Sequence, residues 1–164
     1  MIQHPIAPVY DKNSKILILG SFPSVKSREQ GFFYGHPQNR FWRVIAGLKN
    51  TGVPETVDEK RDFLLRSKIA VWDVIKSCDI EGSSDSSIKN VVPNDLKDIL
   101  ECADISLICV NGKKAEQLYK KHIFPLIKRK AVYLPSTSPA NAAWSVDKLI
   151  NEWRRIIYES GFTD

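Results

Sequence analysis

The sequence predicts an α/β fold, a three-layer α/β/α sandwich around a central, mostly parallel sheet of about four strands. Three observations lead there. Short apolar runs of strand length, such as Ile16-Leu17-Ile18-Leu19, alternate with segments whose apolar residues recur at helical spacing. The run Ile69-Ala70-Val71-Trp72-Asp73-Val74-Ile75 is almost continuously apolar, the pattern of a strand covered on both faces. A helical segment separates each strand from the next, so right-handed crossovers place helices on both sides of a parallel sheet.

Taken in order, residues 1–14 read as an extended arm, because Pro5 and Pro8 forbid a helix interior. Ile16 to Leu19 is the first strand. The loop after it carries Phe33 and Tyr34 and closes on Gly35-His36-Pro37-Gln38-Asn39-Arg40-Phe41-Trp42. Asn39 to Leu48 has helical spacing at Phe41, Trp42, Val44, Ile45 and Leu48, which puts Asn39 close to a helix N-terminus. A second helix is expected over Asp58 to Arg66 with Asp58 as its cap. Ile69 to Ile75 is the second strand, parallel to the first, and Ser77 to Ser87 reads as a polar loop.

Asn94 after Pro93 caps a short helix to Glu101, and Ile105 to Val110 is the third strand. Asn111-Gly112 turns the chain into a helix over Lys113 to His122. Lys130 to Leu134 is the fourth strand, Pro135 to Asn141 a loop, and Val146 to Glu159 a final amphipathic helix with Leu149, Ile150, Trp153, Ile156 and Ile157 inward.

At 164 residues the chain is the size of one domain with a real core, and its formal net charge of +5 is a modest excess that favours a polyanionic partner or simply a solvated basic surface. Cys78, Cys102 and Cys109 form no C-x-x-C pair, which argues against a zinc ribbon or an iron–sulfur cluster; buried reduced thiols in a cytoplasmic protein are expected. No metal or organic cofactor is expected. The N-terminus lacks the apolar segment of a signal peptide, and nothing approaches the ~18 consecutive apolar residues of a membrane span.

Three loops leave carboxyl ends of strands and converge on one rim, with Asp73 beside them, and such a rim is where an open α/β sheet binds its ligand. They are Gly20 to Gln38, Asn111-Gly112 and Pro135 to Asn141. The hydroxyl-rich LPSTSPANA suits either phosphate binding or plain capping of a helix. Asp73 reads either as a site residue or as an acceptor for neighbouring loops. GSFPS and NGKKA hold too few glycines for a dinucleotide or ATP fingerprint. No Ser/His/Asp triad is legible, since His4, His36 and His122 stand in unrelated contexts.

Four strand-end motifs, GSFPS, VWDVI, CVNGKKA and STSPANA, together with GFFYGHPQNRFWRVI, resemble the uracil-DNA glycosylase superfamily and, within it, the hypoxanthine-DNA (DNA-deoxyinosine) glycosylase branch. The motifs span most of the chain, in that superfamily's order. The resemblance implies a single uracil-DNA-glycosylase-like domain over residues 1–164. It also implies a DNA repair enzyme that extrudes a deaminated base, chiefly hypoxanthine, and hydrolyses its N-glycosidic bond to leave an abasic site. DNA is the implied partner, and a monomer is expected.

By the same resemblance Tyr34 is the stacking wall, with Phe22 or Phe33 as a second. Base recognition is expected to involve Asn111, since one carboxamide can match the N1–H and O6 of hypoxanthine with two hydrogen bonds, and Asp73 beside it. The first-motif position that carries an Asp or Asn in much of the superfamily is Phe22 here. The asparagine held to be catalytic in the hypoxanthine branch falls on Asn39. An amide is a poor general base, so Asn39 is expected to orient water through its carbonyl oxygen, with helix capping as the competing role. Ser136 stands where the uracil enzymes carry His or Asn, and Ala140 where they carry a wedging leucine. Flipping is then expected to lean on phosphate contacts from Thr137, Ser138, Pro139 and neighbouring backbone, with Asn141 as a polar plug. Lys26, Arg28, Arg40, Lys113 and Lys114 are candidate backbone contacts. Rival readings are a uracil or mismatch glycosylase, a damaged-nucleotide binding module that does not cut, and a hydrolase of free inosine.

Overall fold

The computed structural model describes residues 1–162. Its central sheet has four parallel strands in the order β3-β2-β6-β7: Ile69–Asp73, Ile16–Gly20, Leu107–Asn111 and Val132–Leu134. All five residues of β2 are buried, and successive ones point to opposite faces. Ile16 and Ile18 pack with α2 (Phe41–Leu48), α3 (Val57–Arg66) and α7 (Val146–Glu159) through Phe41, Ile45, Leu64, Leu149 and Trp153. Leu17 and Leu19 pack on the other side with α4 (Lys97–Cys102) and α5 (Lys113–Leu118) through Ile99, Ala115 and Leu118. This two-sided core is the expected three-layer sandwich.

The helix spanning Val146–Glu159 has the expected bounds, because Ser145 caps it by accepting from Lys148 N at 3.1 Å and one apolar stripe continues to Ile157. Other elements differ from expectation. The loop after β2 holds a short helix, α1 (Val25–Gln30), and the first-stretch helix, α2, starts at Phe41 rather than Asn39. Thr56, not Asp58, caps α3 by accepting from Glu59 N at 3.1 Å. The helix after Gly112 runs past His122 through a π-type turn, Tyr119–Ile123, into α6, Phe124–Ile127.

A second sheet lies where a loop was expected. The apolar run ends its first strand at Asp73, where Val74 N bonds Gly20 O, and restarts as β4, Ile75–Asp79. Strand β4 pairs antiparallel with β5, Lys89–Pro93, through two register shifts, and with the two-residue β1, Ile2–Gln3. Asn94 is not a helix cap. It is buried, and its Nδ2 donates to the carbonyls of Asp73 and Ile75 at 2.9 and 3.1 Å, tying the break between the strands.

The N-terminal arm is extended, as expected, and bonded along its length. His4 N donates to Lys76 O, Val9 and Val71 exchange backbone bonds, and Trp72 Nε1 donates to Ile6 O. Cys78 and Cys109 are buried, and burial raises both thiols, Cys109 to about 12. Cys102 departs from the expectation of buried thiols and is exposed at the end of α4. Among the described residues no helix is long and apolar enough to cross a membrane.

Candidate active site

The carboxyl ends of β2, β3, β6 and β7 open on one cavity of about 270 Å³. Its lining includes Phe22, Tyr34, Asn39, Asp73, Asn111 and the loop residues Ser136, Thr137, Ser138, Pro139 and Ala140. Residues read from five separate motifs therefore meet in one place. Asn141 lies just behind, its Nδ2 donating to Ser136 O at 2.9 Å, which makes it a brace of the loop in this conformation rather than a free plug.

Asn39 ends a tight turn in which its N–H donates to His36 O at 2.9 Å. Its Oδ1 accepts from Phe41 N at 2.9 Å. Asn39 precedes the N-cap, Arg40, which makes no side-chain cap bond, yet its Oδ1 satisfies the first helical N–H. That bond fixes the carboxamide and, among the described residues, leaves the second Oδ1 lone pair uncommitted.

Tyr34 sits at φ +52°, a left-handed conformation costly for a bulky residue, of order 1 kcal/mol or more. Its ring lies face-on to Phe41 at 4.0 Å between centroids and 14° between planes. One face is therefore already covered. Burial, with a smaller push from Asp73, drives its hydroxyl well above the ordinary phenol range, so the group stays protonated.

Asn111 is committed to the loop opposite. Its Nδ2 donates to Thr137 Oγ1 at 3.0 Å and to Tyr34 Oη at 3.3 Å, and its Oδ1 accepts from Thr137 N at 3.1 Å. Both amide hydrogens are spent, so Asn111 does not match both halves of a base edge with its carboxamide. Thr137 has no exposed surface, and its hydroxyl faces Asn111 rather than a phosphate. Ser138 Oγ accepts from Ala140 N at 3.2 Å, and Ala140 stands exposed at the loop tip.

Arg40 is not a free DNA contact. Its guanidinium donates to four carbonyls of the same loop: Thr137 at 3.3 Å, Ser138 at 2.8 Å, Asn141 at 3.0 Å, and Trp144. Partial burial, together with nearby Arg43, lowers its pKa.

Asp73 faces Gly20 across the parallel register and is 4 % exposed. Its Oδ2 takes a 2.7 Å hydrogen bond from His4 Nε2. A Cβ at residue 20 would lie 2.5 Å from Asp73 Oδ1 and 3.0 Å from Tyr34 Oη, so only glycine lets both polar atoms approach the strand end. Gly20→Ala is expected to displace the carboxylate and lower single-turnover activity on the order of 10²-fold with the fold retained, checked by kinetics beside circular dichroism.

Sequence reasoning missed His4 and Asp85. The serine-rich segment bends over the cavity, where Val25 N donates to Ser83 Oγ at 2.9 Å and Arg28 Nη2 to Gly82 O at 2.6 Å. Asp85 then reaches the cavity wall, accepting from Ser21 Oγ at 3.3 Å, and desolvation raises its pKa against the pull of Ser21 and Lys114. Contacts 64 and 69 residues apart leave no local signal. Among the described residues no cluster of three His, Cys, Asp or Glu side chains is placed to hold a metal ion.

Comparison with known proteins agrees with this geometry. Residues 7–159 match the model of the Uracil DNA glycosylase superfamily. A protein of Methanosarcina acetivorans named hypoxanthine DNA glycosylase is 35% identical over 161 residues, 95% of this chain and 98% of that protein. One of the same name from Methanosarcina barkeri is 37% identical over 110 residues, 66% of this chain and 70% of that protein. A solution NMR structure from M. acetivorans, described as a candidate uracil DNA glycosylase, superposes with a TM-score of 0.81 at 33% identity over 99% of this chain and 100% of that one. With its site at the strand ends and its match nearly end to end, the chain belongs to the uracil DNA glycosylase superfamily.

Proposed function

We propose that this chain is a monofunctional DNA-deoxyinosine glycosylase, one catalytic domain over residues 1–164 that hydrolyses the N-glycosidic bond of deoxyinosine and leaves an abasic site. The reading is carried by one observation: Asn39, with a carbonyl lone pair still free, faces the same cavity as Asp73 at the strand ends. Relatives named for hypoxanthine excision over most of the chain support it.

The extruded base enters between Phe22 and the open side of Tyr34, whose other face is backed by Phe41. Hypoxanthine presents N1–H as a donor, which a carboxylate oxygen of Asp73 accepts. Adenine presents a lone pair there and is repelled. Asn111, held at the wall by its bonds to Thr137 and Tyr34, fixes the opposite side of the pocket. Asn39 Oδ1 accepts a hydrogen bond from the attacking water and aims its oxygen at the anomeric carbon. As the C–O bond forms and the N-glycosidic bond breaks, the water's proton passes through solvent to the departing hypoxanthine anion, so the asparagine positions and does not deprotonate. At the pocket rim, Ser136, Ser138, Pro139, Ala140 and the loop backbone meet the DNA strand, and Thr137, Arg40 and Asn141 keep that loop in shape. The reading takes the enzyme as a cytoplasmic monomer that needs no cofactor.

The test is a duplex holding a single deoxyinosine. Free hypoxanthine is expected in the supernatant, with the strand intact until alkali breaks it at the abasic site. Release of uracil alone from a deoxyuridine duplex would move the protein to the uracil enzymes, and lesion binding without release of any base would make it a sensor.

A further inference from the structure

His4 lies outside every motif of the chain, yet its ring is 3 % exposed against an Asp73 carboxylate that is itself 5 % exposed. Two bonds assign its tautomer. Nδ1 accepts from Ile6 N at 3.1 Å, so the imidazole proton sits on Nε2 and donates to Asp73 Oδ2 at 2.7 Å. The ring is wedged among aromatics, edge-on to Phe22 and Trp72 at 5.7 and 6.3 Å and tilted against Phe33 at 6.1 Å. Phe22 and Phe33 line the same cavity as Asp73. His4 therefore fills the space behind the pocket and touches two kinds of pocket wall at once, the carboxylate and the rings.

The bond is not needed to hold the arm in place. The His4 backbone N–H on Lys76, the Val9–Val71 pair, the Trp72 indole on Ile6 O and the β1–β4 pairing anchor the same segment. What the imidazole does alone is fix a rotatable carboxylate. With Oδ2 held by Nε2–H, Oδ1 is confined to the side of Gly20 and the cavity.

We infer that His4 is a positioning residue for base selection. As the Nε2–H tautomer it holds Asp73 so that one carboxylate oxygen presents a fixed acceptor to the ring N–H of a lactam base, which makes the N-terminal arm part of the recognition machinery. The inference rests on the hypoxanthine reading above. Without the imidazole, Asp73 is a buried carboxyl lacking its donor, free to rotate in place or to swing away from the cavity. Either change erodes the preference for a base that carries N1–H over one that carries a lone pair there.

The experiment compares single-turnover excision of hypoxanthine with excision of unsubstituted purine, which lacks both N1–H and O6, from otherwise identical duplexes. Wild type is expected to favour hypoxanthine. His4→Ala is expected to lower hypoxanthine excision on the order of 10–10²-fold and purine excision by much less, so that the preference shrinks by the ratio of the two losses. His4→Gln, which offers an amide N–H toward the same oxygen, restores much of the preference, whereas Asp73→Asn, which turns a donor into the pocket, does not. Equal losses on both bases with the preference intact would overturn the inference and leave His4 a structural residue. If wild type releases no hypoxanthine, the glycosylase reading itself fails, and calorimetric titration with free hypoxanthine and free purine decides the pair separately. A wild-type preference lost in His4→Ala sustains the inference, and no wild-type preference overturns it.

Discussion

Asn39→Ala is expected to lower single-turnover excision roughly 10²–10³-fold, the range seen when one preorganised polar group is removed from a transition state. Affinity for lesion DNA should change by less than about threefold, because the interaction lost is made with water and not with the base. The cap on Phe41 N is lost as well, which costs about 0.5–1 kcal/mol of stability and has to be separated from catalysis. Asn39→Ser makes that separation. A serine hydroxyl still caps the helix but is too short to reach the water, so its stability should stay near wild type while its excision rate stays near that of Asn39→Ala. Denaturation midpoints beside single-turnover rates check both halves. Recovery of the rate in Asn39→Ser would assign Asn39 to capping alone.

The second large effect is expected at Arg40. Its guanidinium satisfies carbonyls of Thr137, Ser138, Asn141 and Trp144, and its own N–H donates to Thr137 O at 3.1 Å. The loop between β7 and α7 lacks regular structure of its own, so this one side chain supplies much of its internal bonding. Arg40→Ala should destabilise the protein by about 2–4 kcal/mol, since several charge-assisted bonds vanish together and their acceptors are left to water. Arg40→Lys should recover little, because a point charge cannot replace a planar fork that reaches separate carbonyls. Urea denaturation with a constant m-value is the check. Excision should fall in both variants, through loss of the shape of the 136–140 wall.

The sheet was legible because its strands are short apolar runs buried on both faces, a pattern independent of distant partners. The helix Val146–Glu159 was legible to the residue because Ser145, the apolar stripe and the polar end all agree. The small sheet was not legible. Its β4 strand, IKSCD, alternates exposed and buried positions only in part, and β5 pairs with it through register shifts, so neither shows a clean period of two. Asn94 misled because a polar residue after proline resembles a cap, while its real partners are carbonyls at a strand break 19 and 21 residues away.

The site was legible where motifs sit at strand ends. Phe22, Tyr34, Asn39, Asp73 and Asn111 all reach one cavity. What the sequence concealed is how far these groups are already engaged with one another. Asn111 spends its amide hydrogens on Tyr34 and Thr137, Arg40 turns inward onto a loop, and Asp73 is held by a histidine from the arm. Such commitments depend on long-range packing, and no spacing within a motif records them.

The most direct test is excision from paired duplexes, one holding a single deoxyinosine and the other a single deoxyuridine, under single-turnover conditions with alkali added afterwards. Breaks at deoxyinosine that form faster than those at deoxyuridine, and that disappear in Asn39→Ala, are the expected result. Breaks at deoxyuridine alone, or breaks at deoxyinosine that persist undiminished in Asn39→Ala, would contradict it.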